Sequence, residues 1–224
     1  SQLTDVSGYI FKRASPSCGM ERVKIYSAKG MPMDSGAGLY AQAIMQALPL
    51  LPTEEEGRLR DPVLRENFIE RIFVYHRWQS LLRSGLTPAG LVDFHTNHKF
   101  SVLAHDEAAY RALGQIVAES GSADLPQLAQ RYATLLMTAM KKRATRKLHS
   151  NVLQHIMGFL KEKIDSDDKA ELIELIGNYR HGQIPLIVPI TLLKHHLRRH
   201  PDPYIMRQHY LKPHPEELML RNSL

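Results

Sequence analysis

The sequence has few of the features that mark secreted or membrane proteins. Its single cysteine, Cys18, cannot form an internal disulfide, and this is typical of a reducing compartment, so we expect a cytoplasmic protein. No apolar run approaches the ~20 residues that span a bilayer, and the longest, residues 184–193, is interrupted by two prolines. The first residues lack the basic and apolar regions of a signal peptide. The sequence therefore predicts no membrane partner.

Motifs of several enzyme classes are also absent. There is no HExxH zinc motif, no P-loop, and no Rossmann fingerprint, since the glycines at 36 and 38 lack the required spacing. Three histidines, His95, His98 and His105, fall within one predicted helix. They could form an independent metal centre, or each could be an ordinary hydrogen-bonded histidine of the interior or surface. The pattern leaves both interpretations open.

Residues 1–60 predict a small α/β region. Residues 8–12 and 23–26 are short strand candidates, and two such strands cannot bury a core of their own. A helix is expected at about residues 37–48 with Ser35 as its cap, followed by an acidic linker at 54–57. This part is therefore interpreted as the end of a larger α/β domain.

Residues 61–224 predict a helical bundle. Helix starts are expected at Asp61-Pro62, Thr87-Pro88 and Asp106, because each places a capping side chain before a helical apolar pattern. One long helix is expected from Pro126 to about Lys163, bending or breaking near residue 150 or 158, and the next is capped by Ser166. An extended connector at 184–189 then leads to a helix at about 190–199. The predicted fold class is mainly α, with domains at 1–60 and 61–224.

Two basic clusters lie in the predicted bundle. The net charge is +6 with a pI of about 9.4, and most of the excess falls after residue 60. Cations that can meet phosphates are Lys141, Lys142, Arg143, Arg146 and Lys147 in the first cluster, and Lys194, His195, His196, Arg198 and Arg199 in the second. Tyr204 and Tyr210 are candidates for stacking on bases. The alternative is that each cluster is only a solvated helix face.

Several runs of the sequence resemble known families. Gly-Tyr-Ile-Phe-Lys at 8–12 and Ser-Pro-Ser-Cys-Gly at 15–19 resemble the C-terminal section of the TudS-type thiouracil desulfidase domain. From residue 65 onward the chain resembles the YbgA-type domain, often fused behind it. The matching runs lie at residues 66–71, 75–77, 94–99, 185–189, 195–196 and 213–218. The whole chain thus resembles a RudS-type fusion of the two domains.

This resemblance implies an activity for the parent protein. RudS-type proteins are tRNA 4-thiouridine desulfidases, in which three cysteines hold a [4Fe–4S] cluster whose open iron takes the thiocarbonyl sulfur before water replaces it. The resemblance makes Cys18 one of the cluster ligands and Ser15 a catalytic neighbour that polarises the substrate. The other two cysteines belong to a part of the domain that this sequence does not contain. We therefore expect this chain alone to bind no cluster and to be inactive.

The helical domain then has two candidate roles. A thiolated base in folded tRNA is stacked, so an enzyme must hold the RNA and expose the base, and Lys/Arg-bearing helices suit recognition of RNA by shape and backbone. The favoured hypothesis is therefore a tRNA-binding module. The alternative is a protein-interaction or scaffold domain without nucleic-acid binding, which could form a homo-oligomer.

Overall fold

The computed structural model describes residues 5–27 and 31–222, without the side chains of residues 32–34, and confirms a mainly α fold. The strands are β1 (Tyr9–Phe11), β2 (Val23–Tyr26), β3 (Pro32–Gly36) and β4 (Thr53–Glu55). The helices are α1 (Leu39–Ala47), α2 (Pro62–Arg83), α3 (Pro88–His105), α4 (Glu107–Ala118), α5 (Leu125–Lys141), α6 (Arg146–Gly158), α7 (Ser166–Arg180), α8 (Ile187–Arg199) and α9 (Pro203–Met206). The chain forms two compact units, the first ending at His76 and the second beginning at Arg77.

The first unit contains two small pairs of strands. Strand β1 pairs in parallel with β4, and β2 pairs antiparallel with β3. A parallel pair needs a crossover connection, and the segment that carries the β2–β3 hairpin and α1 provides it. One small apolar cluster of this unit contains Phe11, Ala41, Ile44 and Leu51.

The acidic residues after α1 were predicted as a linker, and this prediction is wrong. They form β4, in which Glu54 and Glu55 are buried. The Arg58 side chain donates a hydrogen bond to Glu54 at 2.7 Å, so the buried charge has a partner. A run of acids is typical of solvent-exposed chain because unpaired burial is costly, and the pairing cannot be read from the run itself. The predicted cap Ser35 is also wrong, since it lies in β3 and Gly38 precedes α1.

The helices of the second unit begin and end largely where the capping residues predicted. Thr87 accepts a hydrogen bond from the Gly90 N–H at the start of α3, and Asp106 accepts from the first turn of α4. Asp124, which was not predicted as a cap, does the same for α5. Gly85 and Gly182 follow α2 and α7 with φ of 90° and 80°, which is the left-handed conformation that glycine adopts without a Cβ clash.

Two apolar clusters hold the second unit together. The larger lies among α3, α6, α7, α8 and the C-terminal segment, and its fully buried members include Leu153, Ile156, Leu172, Leu193 and Tyr210. The smaller is aromatic: Trp78 lies 5.3 Å from Phe94 and 5.4 Å from Tyr132 between ring centroids. Burial of one large apolar side chain contributes roughly 1.5–3 kcal/mol to the free energy of unfolding. The two clusters therefore stabilise the packing of the helices that contribute side chains to them.

The long helix predicted from residue 126 to about 163 is partly wrong: the break expected near residue 158 is confirmed, because α6 ends at Gly158, but an earlier break was not predicted. Helix α5 ends at Lys141, and α6 begins at Arg146, so the break falls inside the first basic cluster. Thr145 caps α6 by accepting a hydrogen bond from the Leu148 N–H at 3.2 Å. A threonine within a helical pattern does not reveal by itself that it caps a new helix. The break also means that residues 141–149 do not share one helix face.

Two further helix starts differ from the predictions. Asp165, rather than Ser166, caps α7 by accepting from the Asp167 and Asp168 N–H groups. Helix α8 begins at Ile187, so Pro189 lies in its first turn instead of in an extended connector. The first N–H groups of a helix have no intrahelical partner, and a proline there removes no helical hydrogen bond.

Candidate nucleic-acid interface and the Cys18 loop

The loop at residues 15–19 is held by its own hydrogen bonds. The Cys18 N–H donates to Ser15 Oγ at 3.2 Å, and the Gly19 N–H donates to the Ser15 carbonyl at 2.8 Å. Ser17 Oγ lies 3.3 Å from Ser15 Oγ and 3.4 Å from Cys18 Sγ. The two predicted site residues of this unit, Ser15 and Cys18, are therefore adjacent and half-buried, with Ser15 fixing the backbone of Cys18.

The start of α1 holds this loop in place. The Ser17 carbonyl accepts hydrogen bonds from the Tyr40 and Ala41 N–H groups at 3.0 and 3.2 Å. Gly38 makes this approach possible, because a Cβ there would lie 2.4 Å from the Ser17 carbonyl carbon and oxygen. The helix thus uses two of its unpaired N–H groups to position the segment next to Cys18.

The donor set around Cys18 does not by itself fit an iron–sulfur cluster. Such clusters need three or four protein thiolates as a rule, and the chain has one cysteine. Within residues 5–27 and 31–222, no three His, Cys, Asp or Glu side chains converge where they could hold a metal ion. The residues of this chain therefore cannot assemble a cluster by themselves.

The three histidines of α3 make separate contacts. His95 Nδ1 lies 3.2 Å from the Tyr132 hydroxyl, His98 Nδ1 lies 2.8 Å from the Phe94 carbonyl, and all three histidines are buried. His105 Nδ1 lies 2.6 Å from the Lys142 carbonyl. Burial lowers the pKa of His95 to about 4, which keeps its ring neutral at physiological pH. Each histidine bonds a neighbour in the interior, as the simpler interpretation of the sequence predicted.

The first basic cluster surrounds the break between α5 and α6. Lys142 forms an ion pair with Asp106, the cap of α4, so its charge is partly neutralised. The other four cations, Lys141, Arg143, Arg146 and Lys147, are exposed. No carboxylate of the described residues lies within 4.0 Å of any of these four. Nearly all of the charge in this cluster is therefore available to a partner.

The second basic cluster is less uniform. Lys194 donates a hydrogen bond to Glu216 at 3.0 Å, and His196 is buried with only 2% of its surface exposed. His196 Nδ1 lies 3.8 Å from Asp168 inside the unit, so His196 is inaccessible to a partner. His195, Arg198 and Arg199 are exposed. Adjacent positions of a helix face different directions, which explains why His195 and His196 differ in burial.

The two clusters lie at opposite ends of the group formed by α6, α7 and α8. His149 in the first half of α6 makes an edge-to-face ring contact with Tyr179 at the end of α7, and Asp168 at the start of α7 lies near His196 close to the end of α8. Helices α6 and α8 therefore run in the same direction, with α7 antiparallel to both. The cations at 141–147 lie at the start of this group and Arg198 and Arg199 at its end. Along a helix of 13 residues this separation is about 20 Å.

One of the two tyrosines proposed for base stacking is inaccessible. Tyr210 is fully buried, and its hydroxyl lies 3.0 Å from His149 Nδ1. The ring of Tyr204 is half-buried, with its centroid 5.5 Å from that of Phe159 and the Lys99 Nζ 4.9 Å away. Tyr210 is therefore a core residue, which its basic sequence surroundings did not reveal.

The sequence did not predict that three residues contact the clusters or lie beside them. Asp106 and Glu216 pair with Lys142 and Lys194 across more than twenty positions, and Arg221 is buried beside Tyr210. Nothing in the local pattern predicts these long-range partners. The run at 213–218 was noted for its resemblance to the YbgA type, and that was the one available signal for Glu216.

Comparisons with known proteins agree with the domain resemblance. Residues 99–215 match the family described as a protein of unknown function (DUF1722), and residues 1–56 match the 2-thiouracil desulfurase family. The uncharacterized protein YbgA of Escherichia coli (strain K12) is 34% identical over 154 residues, which cover 68% of this chain and 91% of that protein. No solved structure matches the chain.

These matches cover both parts of the chain. The segment similar to 2-thiouracil desulfurase contains the Cys18 loop, and the DUF1722 match contains both basic clusters. No helix among the described residues combines the length and apolar character needed to cross a membrane. The predicted combination of a TudS-type segment and a YbgA-type domain is confirmed, and the chain belongs to the DUF1722 (YbgA-type) family.

Proposed function

We propose that this chain is the tRNA-binding part of a thiouridine desulfidase. The observation that carries the proposal is the group of four exposed cations at residues 141, 143, 146 and 147, none of which has a carboxylate within 4.0 Å among the described residues. A second support is the desulfurase-type segment on the same chain. A thiolated base of tRNA is the substrate that this pair of features fits best, and tRNA as a partner implies the cytoplasm.

The start of α6 suits a polyanion for two physical reasons. The N-terminus of a helix carries unpaired N–H groups and a partial positive charge, both of which favour phosphate. Arg143, Arg146 and Lys147 add full charges at the same place, and arginine can bind phosphate oxygens with two parallel hydrogen bonds. These contacts recognise an RNA backbone rather than a base sequence, as shape-dependent RNA binding requires.

The exposed residues of the second cluster are a weaker part of the interface. His195, Arg198 and Arg199 lie near the C-terminus of α8, where cations also stabilise the helix dipole. Their charge therefore has a structural role in addition to any contact with RNA. At about 20 Å from the first cluster they can reach a different segment of a folded RNA, because double-stranded RNA-binding domains extend over ~16 base pairs.

Within the first unit, the proposal assigns Cys18 as one ligand of a [4Fe–4S] cluster and Ser15 as the group beside the substrate. The match to 2-thiouracil desulfurase over residues 1–56 supports both assignments. The hydrogen bond from the Cys18 N–H to Ser15 Oγ supports the second, because it holds the hydroxyl at the backbone of Cys18. Further thiolates from outside this sequence are needed to complete such a site.

Salt-dependent tRNA binding tests the proposal. We expect labelled tRNA to bind the chain in fluorescence anisotropy, with an affinity that falls steeply between about 50 and 200 mM salt. The variant Arg143→Gln/Lys147→Gln should lower the affinity and reduce the slope of log K against log salt by about 2, one for each lost phosphate contact.

The matched control is Arg111→Gln/Arg131→Gln, which removes the same charge from α4 and α5. These two arginines pair with Glu107 and Glu119 on the surface, so their loss costs about 0–1 kcal/mol of stability each. The control should bind tRNA like the wild type. Equal loss of affinity in both variants would show a net-charge effect instead of a local interface, and absence of binding at low salt would refute the proposal.

A specific observation favours protein interaction as a second function. Among its described side chains, the first unit exposes six large apolar ones, namely Ile10, Ile25, Tyr26, Met31, Leu39 and Tyr40. Leu39 is 80% exposed and Met31 is 66% exposed, which is unusual for so small a unit. Sedimentation velocity over a range of concentrations tests this function: self-association that Leu39→Ser abolishes, together with absence of tRNA binding, would favour it.

A further inference from the structure

A cavity of about 310 Å³ lies between α8 and the C-terminal segment of the second unit. Four cationic side chains line it: Lys194 and Arg198 from α8, and Lys212 and Arg221 from the C-terminal segment. One carboxylate, that of Glu216, also lines it. The cavity therefore has an excess of positive charge in a concave site, which is where anions bind most strongly.

The fold brings these side chains together from distant parts of the chain. Lys194 and Arg198 are four residues apart in α8, so they lie on one side of the helix. The Ile187 N–H donates to the Arg221 carbonyl at 3.1 Å, which fastens the C-terminal segment to the start of the same helix. The turn before this contact contains Met219 with φ 49°, and Arg221 itself has φ 70°. A left-handed conformation at two residues with side chains indicates that surrounding contacts hold this turn.

Arg221 is the most rigid of the four cations. Only 4% of its surface is exposed, its Nη1 donates to the Tyr210 carbonyl at 2.6 Å, and its guanidinium carbon lies 5.0 Å from the centre of the Tyr210 ring. Since Tyr210 is itself fully buried, the guanidinium is fixed by the core. An arginine held in this way loses little conformational entropy when an anion binds.

The carboxylate of Glu216 competes with a bound anion for the cationic side chains of the cavity. Its carboxylate accepts a hydrogen bond from Lys194 at 3.0 Å, and the side chain is otherwise 74% exposed to solvent. The hydrogen bond and charge of Lys194, with a smaller effect of Lys212, lower the pKa of Glu216, so it is ionised at neutral pH. An exposed carboxylate can move aside when a ligand with more negative charge takes its place.

We propose that this cavity binds a phosphate group, either a small phosphomonoester or one phosphate of an RNA. Arginine and lysine are the side chains that bind phosphate, and the volume is at the lower end of the range of ligand pockets, which suits a phosphate with a small attached group. Ile187, Ile190 and Leu211 form an apolar wall for that attached group. The site shares Lys194 and Arg198 with the second basic cluster but contains none of the cations at 141–147, so it binds its ligand whether or not those cations bind RNA.

Isothermal titration calorimetry of the full chain with ribose 5-phosphate tests the proposal, with ribose as the uncharged comparison. The variants Arg198→Gln and Lys212→Gln should each weaken binding about tenfold, and ribose should not bind. Arg111→Gln is the matched control, because it removes the same charge from α4, which does not line the cavity and lies outside both basic clusters. Glu216→Gln should tighten binding several-fold by removing the competing carboxylate.

Two results would overturn the proposal: equal weakening by Arg111→Gln and Arg198→Gln, or weaker binding by Glu216→Gln. Circular dichroism of each variant confirms that the helices are retained.

Competition between tRNA and ribose 5-phosphate identifies the source of the phosphate. If tRNA displaces ribose 5-phosphate and Arg198→Gln weakens both, the group belongs to RNA; if tRNA binds without displacing it, the ligand is a small phosphomonoester. Loss of tRNA binding alone leaves the calorimetric result intact, so failure of the proposed function can be told apart from failure of this one.

Discussion

Single residues determine the geometry next to the one cysteine. Gly38 allows the Ser17 carbonyl to reach the first N–H groups of α1, and Ser15 binds the N–H of Cys18. Neither contact involves the thiol itself. The position of Cys18 therefore depends on a glycine twenty positions later in the sequence, where any side chain would collide with the backbone of the loop.

Replacement of Gly38 by alanine should displace the Cys18 loop. A Cβ at 2.4 Å from the Ser17 carbonyl is too close, so we expect destabilisation of about 1–3 kcal/mol and a faster reaction of Cys18 with a thiol reagent. Thiol kinetics and urea unfolding measure the two effects.

Gly177→Ala is the control. A Cβ at this position of α7 meets nothing within 4 Å, and the substitution should stabilise the chain by about 0.5–1 kcal/mol. Unchanged Cys18 reactivity in Gly38→Ala would contradict this account of the loop.

At the scale of elements, one carboxylate joins the ends of two helices. Asp106 caps α4 through the Ala108 and Ala109 N–H groups and pairs with Lys142, which follows α5. His105, the last residue of α3, contacts the Lys142 carbonyl. The position of the first basic cluster thus depends on contacts with α3 and α4, because these contacts fix the residue at which α5 stops.

The pH dependence of the free energy of unfolding should show the contribution of the Asp106 carboxylate. The hydrogen bond from Lys142, assisted by those from α4, lowers the pKa of Asp106 below its ordinary value of 3.8. Its stabilisation is therefore complete above that value and is lost as the pH falls through the lower pKa of the folded state. Asp106→Asn keeps the cap but removes the ion pair, and should cost about 1 kcal/mol at neutral pH. In urea unfolding, the difference between wild type and variant should shrink below pH ~4; a constant difference would contradict the assignment.

At the scale of the whole molecule, the second unit contains neutral histidines in its interior. Burial lowers the pKa of His95 and of His209 to about 4, and the charge of a nearby cation, Lys99 or Arg77, adds to the effect. These histidines pack with aromatic rings: His95 contacts Tyr132, and His209 lies 4.3 Å from His98 between ring centroids. The aromatic core is therefore built around groups that protonation would disrupt.

Mildly acidic pH should lower the free energy of unfolding, because it favours protonation of these buried histidines. Since the folded state holds His95 neutral, the unfolded chain binds more protons between pH ~6.5 and ~4, and stability falls as the pH decreases across that window. The loss attributable to His95 is of order 3 kcal/mol at most. Urea unfolding from pH 7 to 4.5 measures it. His95→Gln, which keeps a polar contact for Tyr132 without titrating, should show a flatter profile; a slope equal to that of the wild type would assign the pH dependence to other groups.

The candidate site was predictable in its residue types but not in its partners. The charges at 141–147 and 194–199 are evident from the sequence, yet their exposure is not: His196 is buried, and Lys142 and Lys194 bind carboxylates far away in the sequence. A periodic pattern reports which face of a helix is apolar, whereas an ion pair across 36 or 22 positions exists only after the chain has folded. The cavity beside Arg221 could not be predicted from the sequence for the same reason.

The sequence by itself determined the mainly α fold, the caps at Thr87 and Asp106, the glycine that follows α7, and the two family resemblances. These properties depend on neighbouring residues: a capping oxygen, a missing Cβ or an apolar period acts within a few positions of the chain. The tertiary structure alone decided where α5 breaks, that Glu54 forms part of a strand, and which cations meet around the cavity of the second unit. Burial and long-range charge pairing set those features, and both depend on segments that only folding brings into contact.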